Sequence, residues 1–381
     1  MDKLDDKAIE RLNHVMYENT LNLFGGKLDV IFFDCTTLYF ESFKEDEFKK
    51  NGYSKDLKFN QPQVLIALMV TKDGLPIGYR AFPGDTYEGH TLIPALQELK
   101  SKYNLDKVVY VADAGMFNKN NLEELESLES KELEYIVGAR LRNLPQYLQD
   151  QILDVERYKE VFEETKIASF DYNGRTLIVT YNPERAKKDA YEREKAIIKL
   201  QKKLAKQKNP KTYLSNYGYK KYLKVEGKTS IVLNEAKILE ESKWDGLHGV
   251  ITNAKKISSA EVVKQYANLW QVEEAFRITK HDLKVRPIFH WKPERVKAHL
   301  AISFMSYSLV KHLEYRIKLQ YKKLSPEKIR QHLISVQTSI LYSAKKKIRY
   351  GLPSKLSLEA RKIYQALGIP KNVTPFIIQK M

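Results

Sequence analysis

Two short apolar runs, Val30-Ile31-Phe32-Phe33 and Val108-Val109-Tyr110-Val111, lead into aspartates, Asp34 and Asp113. Uninterrupted runs this short, rich in β-branched and aromatic residues, predict strands covered on both faces. Covering both faces of a strand requires helices, so the chain is expected to build an α/β core and not a barrel. Strand patterns at 64–70 and 77–82, joined by Lys72-Asp73-Gly74, predict a meander with the first strand. After the Pro83-Gly84-Asp85 turn, apolar residues at helical spacing predict a helix over 91–103. A helix over 118–128 and a strand over 134–139 follow the 108–111 strand. Both aspartates are expected at strand ends, where neighbouring parallel strands would bring them to one edge of the sheet.

The flanking regions have a different character. Residues 5–22 predict an amphipathic helix with Ile9, Leu12, Val15 and Met16 on one side, and they carry no helix-turn-helix pattern. Residues 141–250 read as an inserted domain: short strand patterns at 166–172, 176–181 and 230–233 flank a lysine-rich helix over 183–208 that starts with Pro183. That helix has only a narrow apolar edge, so its basic side chains serve equally as a solvated face or as phosphate contacts. From Arg295 onward the pattern is helical to near the end, with an apolar helix over 298–313. The expected organisation is an N-terminal helix at 1–28, a core in two parts at 29–140 and 251–315, the insertion at 141–250, and a helical C-terminal region at 316–381.

Function is signalled most strongly between Tyr266 and Lys280. Ser258 and Glu261 have capping-box spacing and predict the start of a helix. On a straight helix turning about 100° per residue, Tyr266, Glu273 and Lys280 would share one face within about 40°. Val262, Leu269, Val272, Phe276 and Leu283 would form the buried stripe. The formal charge of +17 favours a polyanionic partner, nucleic acid or an anionic membrane surface. No apolar run reaches the roughly 18 residues of a membrane span, and no signal peptide is recognisable, so a cytoplasmic protein is expected. The single cysteine, Cys35, makes neither a disulfide framework nor a zinc site, so any metal would be held by oxygen.

Clustered carboxylates repel one another, and a confined set normally exists to hold cations such as Mg²⁺ or Mn²⁺. Asp34, Asp113 and Glu273 are the candidates. Each also has an ordinary reading: Asp34 as a turn residue with Thr36 and Thr37, Asp113 as a helix cap, and Glu273 as an exposed ion pair with Arg277.

Taken together, the segments resemble those of bacterial insertion-sequence transposases of the DDE superfamily, in the group with a Tyr-Arg-Glu-Lys signature. The matching segments are Phe33 to Thr37, Gly74 to Gly78, Pro83 to Thr86, Val111 to Gly115, and Tyr266 to Lys280. The signature positions hold Tyr266, Leu269, Glu273 and Lys280, so leucine stands where arginine is usual, and Arg277 is the nearest substitute. The resemblance implies a ribonuclease H-like mixed sheet flanked by helices, with a mostly β insertion before the catalytic glutamate. It implies that Asp34, Asp113 and Glu273 bind two Mg²⁺ or Mn²⁺ ions, that Tyr266, Trp270, Arg277 and Lys280 contact DNA, and that the chain acts on double-stranded DNA as a homodimer. Members usually carry an end-recognition domain before the first aspartate. Only 33 residues precede Asp34, so an N-terminally short chain is expected. The alternatives are a binding-only remnant and a nuclease of the same fold.

Overall fold

The computed structural model describes the chain except residues 55–59, 104–107, 117–121, 124–125, 127–132, 163, 206–220, 227–229 and 381. Most of the helix expected over 118–128 lies outside the described residues. The chain divides into two compact units. One comprises Met1–Tyr110, Asn118–Leu133 and Asn268–Met381, and the other Val111–Phe117 and Glu134–Ala267.

The first unit opens with helix α1 (Asp6–Leu23), capped by the Asp5 carboxylate, which accepts from the Ala8 amide at 2.8 Å. Its buried side is Met16, Tyr17 and Thr20, whereas Val15, expected on that side, is exposed. Thr20 decides the rotation of the helix: its hydroxyl donates to the Pro76 carbonyl at 2.9 Å. Strands β1 (Val30–Tyr39), β2 (Gln63–Thr71) and β3 (Pro76–Pro83) form the expected antiparallel meander, and β4 (Val109–Ala112) completes the order β3-β2-β1-β4. Helix α2 (Leu92–Tyr103) connects β3 to β4. Strand β1 runs five residues beyond Asp34, which therefore sits in mid-strand and not at its end. Thr36, Thr37, Leu38 and Tyr39 are β-formers that find partners in Ile66, Leu65, Val64 and Gln63, so a ladder replaces the turn those threonines otherwise suit.

In the second unit β5 (Glu134–Ala139) follows the end of β4. Next come α3 (Gln146–Ile152), β6 (Lys159–Phe162), β7 (Thr165–Tyr172), β8 (Arg175–Tyr181) and the basic helix α4 (Pro183–Ala205). A hairpin of β9 (Leu223–Glu226) and β10 (Ser230–Leu233) leads through α5 (Glu235–Ser242) to β11 (Leu247–Thr252) and α6 (Ser259–Ala267). The strand order is β4-β5-β11-β8-β7-β6. The narrow apolar edge of α4 has a definite partner: Ile197 and Leu200 pack with Tyr222, Leu223, Ile231 and Leu233. Ser258 caps α6 as expected, accepting from the Glu261 amide at 3.2 Å.

The first unit resumes with α7 (Trp270–Arg277), a π-helical turn at Ile278–Asp282, and the long helix α8 (Pro293–Gln320). Helices α9 (Pro326–Ile334) and α10 (Leu358–Ala366) pack with α8 through Ile317, Ile329 and Ile363. The helical C-terminal region also carries an antiparallel sheet of order β12-β13-β14, formed by Thr338–Ser343, Ile348–Pro353 and Phe376–Lys380. The pattern expected after Arg295 is helical, and these strands depart from it.

Candidate active site

In the first unit Asp34 is half-buried on β1 between Phe33 and Cys35, which are fully buried. Its Oδ1 accepts from the Cys35 amide at 2.7 Å, which fixes the carboxylate against its own strand. Alternation along the strand puts Asp34, Thr36 and Leu38 on one face. Helix α7 packs over β1 and β2 on that face. A cavity of about 40 Å³ is lined there by Thr36 and Leu38 on one side and by Phe276, Thr279 and Lys280 on the other. Val272, Ala275 and Phe276 anchor α7 and leave Glu273 exposed. Its carboxylate has no hydrogen-bond or ion-pair partner among the described residues.

The ion pair anticipated between Glu273 and Arg277 is not made. Arg277 instead holds Glu274 in a two-point contact, Nε to Oε2 at 2.7 Å and Nη2 to Oε1 at 2.8 Å, with Asp282 at 3.5 Å from its Nη1. That guanidinium keeps the Glu274 carboxyl below the usual range, and the same pair raises Arg277. Trp270, 46% exposed, lines a charged cavity of about 400 Å³ with Asp73, Glu274, Arg277, Lys311 and Lys323.

Tyr266, Glu273 and Lys280 do not lie on one straight helix. The chain turns at Asn268 and Leu269 between α6 and α7, and passes into the π turn that contains Lys280. Leu269, at the signature's arginine position, is 8% exposed and precedes the first turn of α7. An apolar residue gains from burial there, where a charged one would not.

In the second unit Asp113 is exposed, one residue past β4. The Tyr266 hydroxyl donates to its Oδ1 at 3.4 Å, and the Tyr266 ring lies against His248 on β11 with centroids 5.2 Å apart. Burial pushes the His248 imidazole down to about 4; the charge of Arg185 acts in the same direction, and that of Asp113 opposes it. Gly138 on β5 makes this packing feasible. A Cβ there would fall 2.5 Å from the Tyr266 hydroxyl and 2.8 Å from the Ala114 amide nitrogen. A glycine inside a strand pattern signals close approach, so Gly138 was findable in the sequence. Nothing local marks His248.

Two expected outcomes follow from this packing. Gly138→Ala should displace Tyr266 or Ala114 and cost about 1–3 kcal/mol in urea denaturation, whereas Gly138→Ala with Tyr266→Phe should recover part of it. A loss by Gly138→Ala within experimental error would remove the close contact. His248 has its folded pKa below its ordinary 6.5, so the unfolded state binds the proton more readily. Stability from this group is present above about pH 6.5 and is lost as the pH falls toward 4, by at most about 3 kcal/mol. Denaturation at pH 7 and pH 4.5 in metal-free buffer should show a smaller acid loss for His248→Phe than for the unmodified chain.

Among the described residues, no group of three or more His, Cys, Asp or Glu side chains is assembled as a metal cage. The candidate set nevertheless has the right donor chemistry: Asp34, Asp113 and Glu273 offer only carboxylate oxygens, the ligands that hard divalent cations take.

Comparison with known proteins adds a family match. The model described as "Transposase DDE domain" matches residues 25–309. Among solved structures, the chain is similar to one titled "Cryo-EM structure of piggyBac transposase synaptic complex with hairpin DNA", at 11% identity and a TM-score of 0.45, covering 81% of this chain and 52% of that one. It is also similar to "Mos1 transposase paired-end complex with left transposon end", at 16% identity and a TM-score of 0.20, covering 35% of this chain and 43% of that one. The chain thus spans about half the length of the piggyBac chain. No curated protein matches it.

Proposed function

Since the chain belongs to the transposase DDE domain family, we propose that it cleaves transposon-end DNA and joins the freed 3′-hydroxyl to target DNA. Its metal ligands in this reading are Asp34, Asp113 and Glu273. The observation that carries the reading is the span of the family match, which runs from before Asp34 to after Glu273 and takes in Asp113. Bound Mg²⁺ or Mn²⁺, as a pair of ions, would supply an activated water or 3′-hydroxyl and stabilisation of the leaving oxygen.

The residues of the chain divide the remaining work. The Cys35 amide holds Asp34 Oδ1 against its own strand, Tyr266 orients the Asp113 carboxylate, and Glu273 is presented without a partner among the described residues. Lys280 offers a point charge to phosphate, while Tyr266 and Trp270 offer rings to an unstacked base. Arg277 is a further phosphate contact and already has its planar fork fixed by Glu274. The net charge of +17 suits a double-stranded DNA partner. Insertion-sequence origin and action as a homodimer belong to the same reading.

The purified chain should nick supercoiled plasmid in the presence of Mg²⁺ or Mn²⁺, and alanine at Asp34, Asp113 or Glu273 should abolish nicking. Cleavage unchanged by these substitutions would overturn the reading. Salt-sensitive duplex binding with no nicking under either metal would identify a binding-only remnant, and preferential cutting of an RNA·DNA hybrid would identify a nuclease. Duplex binding should weaken by at least about tenfold between roughly 50 and 200 mM salt, through counterion release. A flat profile in a fluorescence-anisotropy titration would exclude a DNA partner.

A further inference from the structure

In the second unit a cavity of about 230 Å³ lies against one end of the sheet. Strand register builds its floor. Lys166 on β7 is opposite Tyr181 on β8, and Tyr181 is opposite Leu247 on β11, so the three form one row on one face. Leu247 and His248 are successive in β11 and point to opposite faces. The Tyr266 ring lies against His248, so the row belongs to the face away from Tyr266. The end of α3 and the turn after it add Ile152, Leu153 and Val155 as apolar walls. The Tyr158 hydroxyl donates to the Ile152 carbonyl at 2.8 Å and fixes that turn, so the walls are preformed.

The charged groups that line the cavity are Asp245, Lys166 and Lys243. Arg193 already neutralises Asp245 in a two-point contact, with Nη2 to Oδ2 at 2.6 Å. The Lys166 and Lys243 ammonium groups and the Tyr181 hydroxyl have no hydrogen-bond or ion-pair partner among the described residues. The lining therefore offers three donors without an acceptor beside an apolar wall. An apolar pocket with a few convergent polar groups is the usual form of a small-molecule site, and this polarity suits an anionic head on an apolar body. Size excludes a larger occupant: a cavity of about 150 Å³ takes one benzene ring, so this one has room for one to two rings and not for a polynucleotide.

We propose that this cavity binds a small organic anion, its carboxylate or phosphate head held by Lys166, Lys243 and Tyr181 and its apolar body lodged against Ile152, Leu153, Val155 and Leu247. The proposal does not depend on the cleavage reading.

The test uses the full chain without DNA. Isothermal titration with 2-naphthoate should give a dissociation constant of about 1 mM or tighter. The neutral 2-naphthylmethanol and inorganic phosphate, which carry the body and the head alone, should each bind at least about tenfold more weakly. Lys166→Glu combined with Lys243→Glu should weaken 2-naphthoate by more than about tenfold; both side chains are exposed, so circular dichroism should be unchanged. Lys199→Glu combined with Lys202→Glu, the same charge change on the exposed side of α4, should leave binding intact. A parallel titration with 2-naphthyl phosphate tells a phosphate head from a carboxylate by which binds tighter. Cys35 is the chain's single cysteine and is buried, so an introduced cysteine reports the site independently of these substitutions. Saturating 2-naphthoate should slow alkylation of Val155→Cys, a position 80% exposed, and not of Tyr191→Cys, 63% exposed on α4. No binding of 2-naphthoate below about 10 mM, equal binding of the alcohol or of inorganic phosphate, equal loss in the two double variants, or equal protection at Tyr191→Cys would overturn the proposal.

Discussion

Glu273→Gln should lower metal-dependent DNA cleavage by at least about 10³-fold, the equivalent of roughly 4 kcal/mol of transition-state stabilisation, while leaving fold and duplex binding intact. The separation of effects comes from where the residue sits. Its carboxylate is exposed and has no partner among the described residues, so nothing in the fold is broken when the charge is removed. The helix that carries it is held instead by Val272, Ala275 and Phe276. Glutamine keeps the size and one oxygen but not the charge that draws a divalent cation. Glu274→Gln is the informative control: it releases Arg277 and should alter DNA affinity, with cleavage kept within about tenfold, the size of effect expected for an exposed ion pair. Single-turnover cleavage with both variants measures this. Equal losses for the two, or near-normal cleavage by Glu273→Gln, would remove Glu273 from the metal site.

Gly84→Ala should destabilise the first unit by about 3 kcal/mol or more, at the upper end of overpacking costs. A Cβ at Gly84 would lie 2.0 Å from the Gln63 carbonyl oxygen and 2.4 Å from that of Lys50. These are backbone atoms of a bridge in which Lys50 and Gln63 exchange both hydrogen bonds, at 3.1 and 2.9 Å. No rotamer change relieves the clash; the start of β2 must open, and with it the contact from Gln63 Nε2 to the Gly84 carbonyl at 3.0 Å. Gly174→Ala is the comparison. It has nothing within 4 Å, and its φ of +77° makes backbone strain of about 1 kcal/mol the only cost. Urea midpoints for the two variants should therefore differ clearly, and coincident midpoints would show that the Gly84 crossing relaxes without loss.

Local pattern carried much of this molecule. The meander, the connecting helix of 91–103, the strands around 108–111 and 134–139, and the cap at Ser258 were legible because apolar periodicity and turn chemistry act over a few residues. Less legible were the features that depend on distant partners. Thr36 to Tyr39 suit a turn as well as a strand until β2 offers the ladder that extends β1 past Asp34. The segment from Tyr266 to Lys280 has continuous helical spacing, yet the helix is interrupted at Asn268 and Leu269 and widens to a π turn after Arg277. Arg277 pairs with Glu274 and Asp282, so the acidic side chain left without a partner among the described residues was Glu273. The C-terminal sheet escaped notice because its strands, exposed on both faces, lack the alternation by which half-buried strands are found.

The amino-acid order alone determined the α/β character, the basic charge, the family resemblance and the identity of the acidic candidates, since each is a property of composition or short-range pattern. Only tertiary structure decided which carboxylate stays unpaired, how Tyr266 comes to rest on Asp113 beside His248, and that Gly138 must lack a side chain. Those outcomes are set by contacts between segments far apart in the chain, where packing against a specific surface outweighs local preference.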